Sequence, residues 1–161
     1  PSSAGNPHSA ICHIAGGEPD VTCTYTIPNP SITQANIQET ICKAGYSASV
    51  RPIESYTYPI KIQSMQEYGE SGTSTKSIEL DHNLPIEAGG SPTDPYNLWA
   101  EPNHYNLNGY DAGSLEKDKL ENIIHEKICS GEITLQQGQA AFSDWVSSYR
   151  IYIGQLPFYT Q

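Results

Sequence analysis

Residues 78–90 read IELDHNLPIEAGG, and the reading of this stretch decides the fold. The run Lys76–Leu80 has the alternating, β-branched character of a strand. At its end Asp81 and His82 stand side by side, followed at once by Pro85 and the pair Gly89-Gly90, which are turn signals. Neighbouring side chains of a regular strand point to opposite faces. Asp81 and His82 therefore converge only if the strand ends there, and Asn83-Leu84-Pro85 supplies that ending. The expectation is an antiparallel hairpin over about residues 77–88, with Pro85-Ile86-Glu87 as a second short strand. Chemically, a carboxylate is a hard oxygen ligand for Mg²⁺ or Ca²⁺. A neutral imidazole beside it can take a proton from water near neutral pH. Asn97, across the glycine-rich turn, can tie two backbone segments together through its amide donor and acceptor.

On the N-terminal side, residues 1–30 are rich in Pro, Gly, Ser and Asn and read as an irregular arm. Residues 31–45 read as a short helix capped by Ser31 with Gln34 and ended by Gly45. Residues 49–59 read as extended, because Arg51 precedes a proline and tyrosines alternate with polar residues. Residues 60–69 read as a second short helix closed by Gly69, and 70–76 as a flexible connector. On the C-terminal side, residues 96–113 read as an amide-rich loop. Leu115, Leu120, Ile123, Ile124 and Ile128 then fall at helical spacing, with Gly131 as the stop. Thr134 and Gln137 cap a last helix whose apolar face is Ala141, Trp145, Val146 and Tyr149. The fold class expected is α+β: an antiparallel hairpin plus a helix, with flanking helices and a disulfide-stapled, irregular N-terminal region. The 161 residues suit one domain: an arm to 30, a helical and extended segment over 31–75, a core over 76–130, and a C-terminal helix and tail over 131–161.

Four cysteines, none in a CxxC pair, point away from a zinc ribbon and towards two disulfides. Of the three pairings available, Cys12–Cys23 as a local clasp and Cys42–Cys129 as a long-range staple are favoured over the others and over four reduced thiols. With a chain that opens on Pro1 rather than Met, this suits a mature secreted or periplasmic product, and equally a trimmed chain. No stretch is long and apolar enough for a membrane helix, and no membrane partner is expected. With 8 basic against 18 acidic residues the net charge is −10, which argues against broad attraction to polyanions. A nucleic-acid enzyme of this composition must concentrate positive potential locally, most economically with a divalent cation.

The combined pattern DHNLPIEAGG…NLW closely resembles the DH-x-x-P-x-x-x-GG…NL core of the HNH, or ββα-metal, endonucleases, in a subgroup found in secreted bacterial proteins. The resemblance covers roughly residues 29–148. It implies a ββα-metal core in which Asp81 is a metal ligand, His82 the general base and Asn97 the residue that ties the loop down. The second metal ligand falls at Asn106, with Glu116, Asp118 and Glu121 as alternatives on the following helix. The cofactor implied is one divalent ion, Mg²⁺ first, with Mn²⁺ or Ca²⁺ as alternatives. The partner implied is DNA or RNA, cleaved by a monomer with little sequence specificity. Lys117 and Lys119 read either as a solvated helix start or as a small phosphate-contacting patch, and Arg51 as an ion-pair partner. His125 reads as solvated, and His8, His13 and His104 as loop residues. Two rivals remain: a non-catalytic binding or structural module on a degenerate scaffold of this kind, and a Ca²⁺-stabilised extracellular domain.

Overall fold

The computed structural model describes residues 10–160; His8 lies outside them. The strand read from the opening stretch is β1 (Ile78–His82). Its partner is not Pro85-Ile86-Glu87, which sits at a single 3-10 turn, but β2 (Leu98–Pro102), paired antiparallel with Asp81 opposite Trp99 and His82 opposite Leu98. The amide-rich character of 96–113 hides β2 and also a second two-stranded hairpin, β3 (Asn106–Leu107) with β4 (Tyr110–Asp111). Between β1 and β2 the chain makes the loop that the glycines permit. Gly89 takes φ 87°, and a side chain at Gly90 would meet the Leu84 carbonyl at 1.8 Å. The arm seals this loop from outside: the Ser91 N–H donates to the Ile27 carbonyl, and the Asn29 N–H to the Gly89 carbonyl.

Helices supply the rest of the scaffold. Residues 34–39 form a 3-10 helix, with the Thr33 N–H donating to the Asn36 side chain; the expected Ser31–Gln34 cap does not form. Helix α1 (Tyr46–Val50) follows Gly45, and α2 (Glu54–Glu67) runs through the segment expected to be extended, with Pro59 inside it. Only Arg51–Ile53 stays out of the helices there. Helix α3 (Ser114–Ser130) ends on Gly131 at φ 84°, as its spacing predicts. The last helical stretch is broken into α4 (Leu135–Ala140), a 3-10 turn and α5 (Trp145–Tyr152), with Thr134 capping α4 through the Gln137 N–H. Leu120, Ile124 and Ile128 of α3 pack with Phe142, Trp145, Val146 and Tyr149, and with Leu84 and Ala88 of the loop, in the main core. Leu115, by contrast, is exposed. Disulfides join Cys12 to Cys23 and Cys42 to Cys129, the two pairings favoured above. Among the described residues, no helix is long and apolar enough to cross a membrane.

One carboxyl outside the core makes stability depend on pH. Glu70, just past α2, has a buried Oε1 without a hydrogen-bond partner, and burial pushes its pKa from 4.5 up to about 8. A raised carboxyl stabilises the fold in its protonated form, so this contribution is complete below the unfolded value and is lost as pH rises through the folded one. Between about pH 5 and pH 9 the full shift corresponds to roughly 4 kcal/mol, and solvent screening of this partly exposed group brings the expected loss down to about 2 kcal/mol. Glu70→Gln is expected to remove that slope and raise the melting temperature at alkaline pH. Parallel melting curves of both proteins across pH check this, and coincident pH profiles refute it.

A candidate metal and hydrolytic cleft

Glu79 and Asp81 alternate with Ile78 and Leu80 along β1, and Glu101 of β2 lies opposite Glu79. Helix α3 meets these carboxylates through Lys117. Its ammonium donates to Asp81 Oδ2 at 2.6 Å, to Glu121 Oε2 at 2.8 Å and to the His82 carbonyl at 3.0 Å, and lies 5.4 Å from the Phe142 ring centre. Lys117 is 1% exposed, and all three of its N–H donors are used. Burial alone would lower its pKa. The negative charges of Asp81, Glu121 and Glu101 outweigh that and hold it well above the ordinary lysine value. Lys117 is therefore not the solvated or phosphate-contacting residue expected from the sequence. Lys119 is exposed but turned away and paired with Glu116 at 3.0 Å, because two residues along a helix rotate by about 200°.

The polar ends of β1 and α3 border a cleft of about 320 Å³, lined among others by Arg51, Glu79, Asp81, His82, Asp118 and Glu121. Glu79, Asp81 and Asp118 each offer a carboxylate oxygen within 4.8 Å of one another. Burial raises the pKa of Glu79 to about 7, with the charges of Asp81 and Asp118 adding to it; Asp118 is raised by burial and then by Asp81. This crowding is what a cation relieves. Behind them Glu101, 1% exposed, has neither carboxyl oxygen hydrogen-bonded. Burial, and next the charge of Asp81, push its pKa well above the ordinary carboxylate value.

His82 closes the strand and is buried, with its Nε2 2.9 Å from the Pro92 carbonyl oxygen. A carbonyl can only accept, so Nε2 carries the proton and Nδ1 is the acceptor of the neutral ring. Burial lowers the pKa of this imidazole, which keeps it neutral at pH 7. Pro92 is held in turn by the loop that Asn97 ties. The fully buried Asn97 amide accepts from the Leu84 and Ile27 N–H groups and donates to the Leu84 and Ser91 carbonyls, using its whole hydrogen-bonding capacity.

The remaining expected site residues fall elsewhere. Asn106 lies exposed in β3, where its Oδ1 accepts from the Gly109 N–H of a turn; it does not line the cleft. The β3–β4 hairpin occupies the stretch in which a helix would have carried Asn106 inward. Glu116 accepts from the Tyr149 hydroxyl, facing α5. His104 pairs with Asp111, His125 donates to the Glu87 carbonyl, and His13 is exposed. Sequence reading missed Glu79 and Glu101. The alternation along IEL, which puts Glu79 on the face of Asp81, was the available signal for the first. No protein-family model, curated protein or solved structure matches this chain.

Proposed function

We propose that this cleft hydrolyses phosphodiester bonds of DNA or RNA with one divalent cation, and that β1, the Asn97 loop, β2 and α3 act as a ββα-metal core. The observation that carries the reading is the pairing, at one strand end, of a cation-binding carboxylate with a neutral imidazole whose Nε2–H is occupied by Pro92. Glu79, Asp81 and Asp118 are the residues that would hold the ion, being hard oxygen donors grouped from two elements. A bound Mg²⁺ supplies charge neutralisation at the phosphate and the leaving oxygen. His82 takes the proton of the attacking water at Nδ1. Pro92 fixes the ring in that tautomer, and Asn97 fixes the loop that carries Pro92. Lys117 holds Asp81 by one carboxylate oxygen and so acts as a positioning residue. Two disulfides accord with a secreted or periplasmic setting.

The second reading, a non-catalytic module on the same scaffold, is favoured by that same ion pair, since Lys117 already neutralises Asp81. Metal removal separates the two. Cleavage of plasmid DNA or of RNA is expected to stop in EDTA and to return with Mg²⁺ or Mn²⁺, with calorimetric titration giving one ion per chain. Cleavage undiminished by EDTA would remove the cation from the mechanism. One ion bound without hydrolysis of either polymer would leave the second reading.

A further inference from the structure

The chain carries 8 basic residues against 18 acidic ones, so where the positive side chains lie is informative. Lys117, Lys119 and Lys127 are ion-paired. Lys43, Arg51, Lys61, Lys76 and Arg150 make no ion pair among the described residues. Three of these unpaired cations line two depressions that meet at β1. Arg51 lines the hydrolytic cleft. Lys61 and Lys76 line a second depression of about 450 Å³ between α2 and β1. The two depressions adjoin at Leu80, which borders both. In α2, Glu54, Thr57, Tyr58 and Lys61 fall on one helix face and form the near wall of this groove. Thr75, Lys76 and the β1 residues Ile78 and Leu80 form the other. Tyr58 is 49% exposed, and Lys76 is exposed with no hydrogen bond from its ammonium. Lys61 gives one donor to the Thr75 carbonyl at 2.8 Å and keeps two.

We propose that the α2–β1 groove is a binding subsite for a single-stranded stretch of nucleic acid that continues out of the cleft, with Lys61 and Lys76 on backbone phosphates and Tyr58 under a base. Ile78 lies three residues along β1 from Asp81, a run of about 10 Å, so the groove extends the track beyond the cleft. An aromatic face can receive a base only where that base is unpaired, which selects a single strand over a duplex. Glu54 repels phosphate at the Arg51 end of the wall and leaves the charge of the groove concentrated at Lys61 and Lys76. The inference rests on the hydrolase reading only for the use to which the bound strand is put.

The test measures binding of fluorescein-labelled dT12 and dT3 by anisotropy at several salt concentrations, in a His82→Ala background so that nothing is cleaved. Lys61→Gln with Lys76→Gln is expected to weaken dT12 about tenfold, bringing it towards the affinity of dT3. The salt slope is expected to flatten by about 0.7 for each phosphate that is no longer neutralised. Tyr58→Ala is expected to weaken dT12 about tenfold with the slope unchanged. Lys76→Gln alone, at an exposed position, carries the test should the Lys61 change unsettle the fold. An unchanged affinity and slope for dT12 in Lys76→Gln and in the double variant overturns the subsite, as does an equal weakening for dT3 and dT12. Tighter binding of a 12-base-pair duplex than of dT12 overturns its single-strand character. A wild-type protein that binds dT12 through these lysines and, with Mg²⁺ or Mn²⁺ present, cleaves neither DNA nor RNA removes the hydrolase reading and keeps the subsite.

Discussion

His82→Ala is expected to lower the rate of phosphodiester cleavage by about 10³-fold, the range in which a positioned general base contributes. The imidazole makes one described side-chain hydrogen bond, to the Pro92 carbonyl, so its removal is expected to cost only about 1 kcal/mol of stability. The loop itself is tied by Asn97, which the substitution does not touch. Activity and folding should therefore separate: a large drop in rate with a melting temperature lowered by a few degrees. Imidazole added to the buffer is expected to restore part of the rate, a rescue that a purely structural histidine would not show. A variant that cleaves within tenfold of wild type would end the assignment of His82 as base.

Lys117→Met is expected to act in the opposite way, on stability first. Removing one partner of a buried ion pair typically costs about 3–5 kcal/mol, because it leaves uncompensated charge in the interior. Here the disturbance reaches three groups at once, since Asp81, Glu121 and the His82 carbonyl all lose the same donor. For a chain of this length the melting temperature is expected to fall by roughly 10 °C. The carboxylates released are those beside the candidate cation site, so Mg²⁺ or Ca²⁺ is expected to raise the melting temperature of the variant more than that of wild type. Asp81→Asn added to Lys117→Met should recover part of the stability, because it removes one of the stranded charges. Calorimetric melting of the two variants with and without the cation checks all three outcomes, and a single variant as stable as wild type contradicts the buried-pair account.

Much of the scaffold is legible in the sequence where one period runs long enough to dominate. Helix α3 follows from the spacing of Leu120, Ile124 and Ile128, and the strand end at Asp81-His82 from the proline and glycines after it. The errors have physical causes. Only the first part of α2, residues 54–59, reads as extended, because Arg51 precedes a proline and the tyrosines alternate with polar residues, yet the helix runs on from there into the stretch read as helical, where Ser64 and Met65 are buried. Strand β2 is hidden because Leu98-Trp99-Ala100 shows no alternation when nearly every residue is buried. Its true pairing makes the hairpin loop much longer than a tight turn would suggest. In the site, Asp81, His82 and Asn97 do come together as their spacing implies, whereas Asn106 and Lys117 exchange roles of exposure. Nothing in the string Lys117-Asp118-Lys119 tells which lysine faces inward; only the packing of α3 against the carboxylates of β1 and β2 decides it.

The bridge from Cys42 to Cys129 closes a loop of 87 residues that contains β1, β2 and nearly all of α3. By chain-entropy reasoning such a crosslink contributes about 4–5 kcal/mol, comparable with the whole net stability of many small proteins. Under reducing conditions that contribution is missing, and the strands and helix that border the cleft are held together by their packed core alone.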